Sequence, residues 1–104
     1  MHVGVLKLTF HIPHARSLKD KRAVVRKFRD RIRARFDVSI AEVEAQDLLQ
    51  RAVFGVVVVS SDGKLCDSIL AEVANVAALN EDAVLTDRKT EFVTFGDDFY
   101  GGSL

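Results

Sequence analysis

Residues 52–59, AVFGVVVV, constrain this chain more than any other stretch. The run carries no charge, is apolar on both parities and is rich in β-branched valine. At eight residues it is the length of a strand, not of an ordinary helix. A strand with no polar side is covered on both faces, so it belongs in the middle of a sheet. The rest of the chain must supply neighbours on both edges of it and cover above and below.

Three further segments have strand character. Residues 2–12, HVGVLKLTFHI, place Leu6, Leu8, Phe10 and Ile12 on one face and Val3, Val5, Lys7, Thr9 and His11 on the other. Residues 37–44, DVSIAEVE, change apolar parity between Ile40 and Val43, which predicts a bulge near Ala41 and Glu42. Residues 84–95 form the last strand, and AQDLLQ (45–50) connects the second to the third. Two segments have helical period instead. Ser17 is a good N-cap with Asp20 three residues on, followed by an apolar arc of Leu18, Val25, Phe28, Ile32 and Phe36. After the turn at 60–63, with Ser61 or Asp62 as N-cap, Leu65, Ile69, Val73, Val76 and Ala77 give a second helix its core face.

The order is thus βαββαβ. Two split βαβ units with right-handed crossovers make a ferredoxin-like α+β plait: a four-stranded antiparallel sheet with both helices on one face and the first and third strands central. The predicted core is Leu6, Leu8, Phe10, Val25, Phe28, Ile32, Val57, Ile69, Val73 and Val76. Residues 1–95 make this one domain, and 96–104, GDDFYGGSL, read as an acidic Gly-rich tail expected to fray. Two helices cover only one face of the sheet. The two-faced apolarity of residues 52–59, with Val3 and Val5, therefore predicts a homo-oligomer formed through the other face.

A formal net charge of zero conceals a strong asymmetry. Residues 16–35, RSLKDKRAVVRKFRDRIRAR, hold ten of the fifteen Lys and Arg residues against two acids, Asp20 and Asp30. At 100° per residue, Lys19, Arg22, Arg26, Arg29 and Arg33 fall within about 80° of one another, beside the apolar arc. They stack as a ridge roughly 21 Å long, while Lys21, Lys27, Arg31 and Arg35 sit elsewhere around the helix. A charge run often serves only as a solvated face. Like charges at these spacings repel, however, by a few tenths of a kcal/mol per pair, a cost that alternating signs would avoid. The ridge is the candidate nucleic-acid-binding site, reading phosphates and not bases. Its alternative use is docking onto an acidic protein surface such as Glu42, Glu44 and Asp47 of a neighbouring copy.

Other chemistry finds little purchase. The single cysteine, Cys66, falls in the apolar arc of the second helix and reads as a buried structural thiol. His2, His11 and His14 form no cluster at ligand spacing, so neither a metal nor a cofactor is expected. Glu42, Glu44 and Asp47 read as solvated carboxylates or ion-pair partners, with no nucleophile or base around them. SSDGK (60–64) is not a phosphate loop. Arg51, Phe54 and Gly55 faintly echo an RNA-stacking strand, but valines stand where stacking aromatics would be needed. There is no run of eighteen apolar residues, and MHVGVLKLTF lacks the basic n-region and small-residue cleavage site of a signal peptide, so a cytoplasmic protein without a membrane span is expected. An enzyme is not.

RSLKDKR (16–22), followed by Phe36, Val38, Ser39, Ala41, Glu42, Val43, Asp47, Gln50, Arg51, Ala52, Gly55, Val59 and Ser60, resembles the YlxP-like family of small bacterial proteins. The resemblance covers roughly residues 1–95. It implies a ferredoxin-like fold and carries over no catalytic residues. Genes of that family commonly lie among those for translation initiation and ribosome maturation factors, which implies a partner in RNA or a ribosomal particle.

Overall fold

The computed structural model describes residues 1–96. The tail assigned to 96–104 therefore lies, apart from Gly96, outside the described residues. The elements are β1 (His2–His11), α1 (Leu18–Arg35), β2 (Ser39–Glu44), β3 (Arg51–Ser60), α2 (Gly63–Ala78) and β4 (Val84–Thr94). They form one sheet in the order β2-β3-β1-β4, antiparallel at every pairing. The chain is the ferredoxin-like plait, with β1 and β3 central.

β1 and β3 share one register throughout, from His2 opposite Ser60 to His11 opposite Arg51. Even-numbered residues of both strands therefore face the same way. Leu6, Leu8, Phe10, Phe54, Val56 and Val58 are buried there against Phe28 and Ile32 of α1 and Leu70 and Val73 of α2, so both helices lie on that face. At its centre Phe10, Phe28 and Phe54 meet edge to face, with centroids 5.0–5.8 Å apart. Gly4 lets α2 approach the sheet: a Cβ there would stand 2.7 Å from Leu70 Cδ1.

Four expectations need correction. Val57 is 39% exposed, because odd-numbered residues of β3 point to the face without helices; Val53 is buried there, but Val57 and Val59 are not. Leu65 is 49% exposed and Ile69 only partly covered, since α2 is turned so that Cys66, Leu70, Val73, Ala74 and Ala77 line its buried side. The space above Gly4 draws Leu70 inward and rotates the arc by about one residue. Leu18 is 38% exposed, at the first turn of α1. The bulge in β2 comes slightly later than predicted: the register with β3 shifts between Glu42 and Glu44, leaving Val43 unpaired. The strand then ends at Glu44, and Ala45 after it has a φ of +62°.

Candidate nucleic-acid interface

α1 is held at its start by reciprocal capping. Ser17 Oγ accepts from Asp20 N at 3.1 Å, and Asp20 Oδ2 accepts from the amide of Arg16 at 3.1 Å. Its last turn carries Arg33 and Arg35, the sign that the helix dipole favours at a C-terminus. Val25, Phe28 and Ile32 fix its rotation on the sheet, and that rotation decides where every cation points.

The ridge predicted from spacing is one flank of the helix, on the side of edge strand β2. Its members are not equivalent. Arg33 Nη2 donates to the carbonyl of Ile40 at 3.2 Å and ties α1 to β2. Arg29 is half-buried; its Nε lies 3.6 Å from Asp30 Oδ1 and has no hydrogen-bond partner among the described residues. Lys19, Arg22 and Arg26 are exposed and make no ion pair among the described residues. These three leave a free cationic strip about 10 Å long. On the other flank Lys27 Nζ pairs with Asp82 Oδ2 at 3.0 Å, and Arg31 lines a small cleft with Leu79, Asn80 and Glu81.

Lys21 is the residue that spacing arguments passed over. It is 2% exposed and enters the protein between α1 and β2. Its Nζ donates to the carbonyl of Ala45 and lies 2.9 Å from Glu42 Oε2. The second contact is an ion pair not aligned as a hydrogen bond, so the aligned bond belongs to Ala45. The signal was present on the helical wheel. Lys21 is three residues after Leu18 and four before Val25, inside the apolar arc, with a carboxylate at the bulge of the adjacent strand. The same lysine thus fixes both the helix and the left-handed turn that ends β2.

The acidic cluster is largely committed within the chain. Glu42 belongs to Lys21, and Glu44 Oε2 lies 2.8 Å from Lys7 Nζ across the open face. The Lys7 hydrogen bond and charge, with Arg51 contributing, hold the Glu44 carboxyl below its ordinary range. Of the three carboxylates, only Asp47 makes no ion pair among the described residues. Gln50 braces the connection to β3, its Nε2 donating to the carbonyls of Pro13 and Ala15 at 3.3 and 3.4 Å. Cys66 is fully buried, with Sγ 3.6 Å from the carbonyl of His2. No helix among the described residues is long and apolar enough to cross a membrane.

The family described as "Protein of unknown function (DUF503)" matches residues 3–90. A curated relative, the uncharacterized protein YlxP of Bacillus subtilis, is 42% identical over 59 residues; the match covers 57% of this chain and 64% of that protein, a little under two thirds of its length. Among solved structures, the de novo designed protein Foldit4 is similar with a TM-score of 0.52 and 8% identity, over 92% of this chain and all of that one, a likeness of fold alone. SnoaB, a cofactor-independent oxygenase from Streptomyces nogalater, follows at a TM-score of 0.47 and 12% identity, over 92% and 94% of the two chains. At that distance its chemistry carries nothing over.

Proposed function

For this chain, which belongs to the DUF503 family of proteins of unknown function, we propose a non-enzymatic, cytoplasmic role in which α1 grips RNA phosphates at the ribosome or its precursors. The observation that carries the reading is the strip of Lys19, Arg22 and Arg26. Three stacked cations are held on one helix, and none of them pairs with a carboxylate among the described residues. The gene company implied by the YlxP-like resemblance supports the ribosomal source of the RNA. Binding of this kind follows charge and shape and is indifferent to base sequence.

The test is co-sedimentation with ribosomal subunits and direct titration with folded RNA, for the wild type and for Arg22→Gln/Arg26→Gln. Glutamine keeps helix propensity and most of the side-chain length while removing two charges. The variant folds as before and binds RNA more weakly, by a similar factor for unrelated sequences. Unchanged affinity, or no RNA binding by the wild type at low salt, would leave the strip a solvated face.

A second reading, a homo-oligomeric adaptor, is favoured by the open face of the sheet. Val3 stands opposite both Val59 and Val93, and Val5 opposite Val57, so five valines form one continuous apolar patch. In that reading the basic helix docks on an acidic protein surface. The internal pairing of Glu42 and Glu44 leaves less acidic surface for such a contact between copies than the sequence implied. A wild type that is oligomeric, with an Arg22→Gln/Arg26→Gln variant that is monomeric, would favour it.

A further inference from the structure

Among the described residues, β4 is an edge that no other strand pairs. Ten of its eleven residues are exposed, against a six-residue, bulged β2 at the other edge. It contains neither Pro nor Gly, and Phe92, on the helix side opposite Gly4, is 51% exposed. From Asp87 to Thr94 its pairing with β1 is unbroken, and a regular edge is a template for another strand unless something blocks it. Its charges look unfinished. Lys89 stands directly opposite Lys7 on the open face, an unfavourable cross-strand pair. Lys7 takes its carboxylate, Glu44, from the far side, and Lys89 has none among the described residues. Glu91, opposite Val5 on the same face, likewise has no cation.

We propose that a second copy of this chain pairs its β4 antiparallel with this β4, the twofold axis passing through Thr90, to make one eight-stranded sheet. Symmetry and charge select that register. If the helix faces of both copies stay on one side, the axis must pass through a residue. An axis at Lys89 or Glu91 sets like charges against each other. One at Arg88 would also give Lys89 a carboxylate, Asp87, but it sets two arginines together and brings the partner onto the irregularity at Thr86, where the pairing of β4 with β1 shifts; one at Phe92 leaves Glu91 against Val93. At Thr90, Lys89 of each copy faces Glu91 of the other on the open side. Arg88 of each faces Phe92 of the other on the helix side, within reach of a cation–π contact, and Thr90 meets Thr90. The row Glu44–Lys7–Lys89 is thereby completed by a carboxylate from the partner. The inference is independent of the RNA reading, because α1 packs toward the opposite edge of the sheet.

The test uses the full chain and sedimentation equilibrium up to roughly 100 µM, a range suited to a modest interface. Lys89→Glu and Glu91→Lys alone each place like charges twice across the axis and weaken self-association about tenfold or more, whereas the double swap Lys89→Glu/Glu91→Lys restores it to within about threefold. Thr90→Cys, on the helix side and at the axis, forms a reducible disulfide-linked dimer under mild oxidation; Thr86→Cys does not. A wild type that stays monomeric across this range would overturn the proposal, as would a double swap that fails to restore association. So would a dimer that forms without the Thr90→Cys cross-link, since association through the open face leaves Thr90 pointing away from the partner.

Discussion

Replacing Lys21 by Met tests the arrangement at the base of α1. Methionine keeps the length and apolar stem of lysine, so the hole between α1 and β2 stays filled, and only the charge and the donor are lost. Glu42 is then left without its cation at 19% side-chain exposure, and the Ala45 carbonyl without its donor. Breaking one side of a buried pair costs about 3–5 kcal/mol. Because Glu42 can lean toward water, the low end applies, about 3 kcal/mol. With m near 1.5 kcal/mol/M, that moves the urea midpoint down by about 2 M, read by far-UV circular dichroism. Glu42→Leu costs at least as much, since the ammonium it strands is 2% exposed. The double variant Lys21→Met/Glu42→Leu removes both charges and leaves only the Ala45 carbonyl unsatisfied, a loss of about 1–3 kcal/mol, well short of the sum of the singles. If Lys21→Met costs under about half a kcal/mol, or the double variant costs the full sum, the pair is not coupled and the reasoning fails.

Ile32→Ala, at a fully buried position of α1, lowers stability by about 2–5 kcal/mol in the same assay; a loss under half a kcal/mol would contradict the burial. In RNA titrations against salt, Arg22→Gln/Arg26→Gln flattens the log–log slope by about two contacts, near 1.4 on single strands, and an unchanged slope would exclude both arginines from the phosphate contacts. The depressed carboxyl of Glu44 contributes stability that is present above its unfolded value and is lost as pH falls through its folded one. The stability difference between wild type and Lys7→Met therefore changes as pH drops below the ordinary value of 4.5, by a small amount because the pair is exposed. A difference constant with pH would show that Lys7 does not hold that carboxyl down.

The fold was legible because its signals agree. Strict alternation in β1, a two-sided apolar β3 and two capped amphipathic segments leave one short list of topologies once right-handed crossovers are required. What the sequence blurred was phase within an element. Leu65, Cys66, Ile69, Leu70 and Val73 allow two neighbouring arcs on α2. The choice between them rests on the missing Cβ of Gly4, far away in sequence, where Leu70 enters. Val57 was assigned to the core for a related reason: in an all-valine run, periodicity does not say which parity meets the helices. The register with β1 decides it, since Phe54 lies opposite Leu8 and Val56 opposite Leu6.

The site was legible only as a direction on a helix wheel. Spacing grouped five cations correctly onto one flank, but it treated them as one kind of group. A guanidinium that reaches a backbone carbonyl, as Arg33 reaches Ile40, has already spent part of its hydrogen-bonding capacity. One with a buried, unpartnered Nε, as in Arg29, cannot swing freely toward a ligand. Lys19, Arg22 and Arg26 share the ridge with these two, but the carbonyl that holds Arg33 belongs to β2, which no period in α1 encodes. Lys21 shows the converse. A charge inside an apolar arc is costly unless a partner is built for it, so its position called for a carboxylate on a neighbouring element, and Glu42 at the β2 bulge supplies it. The most basic stretch of the chain thus divides its labour. Lys21 and Arg33 hold α1 to the edge strand, and that attachment keeps the flank with Lys19, Arg22 and Arg26 turned outward.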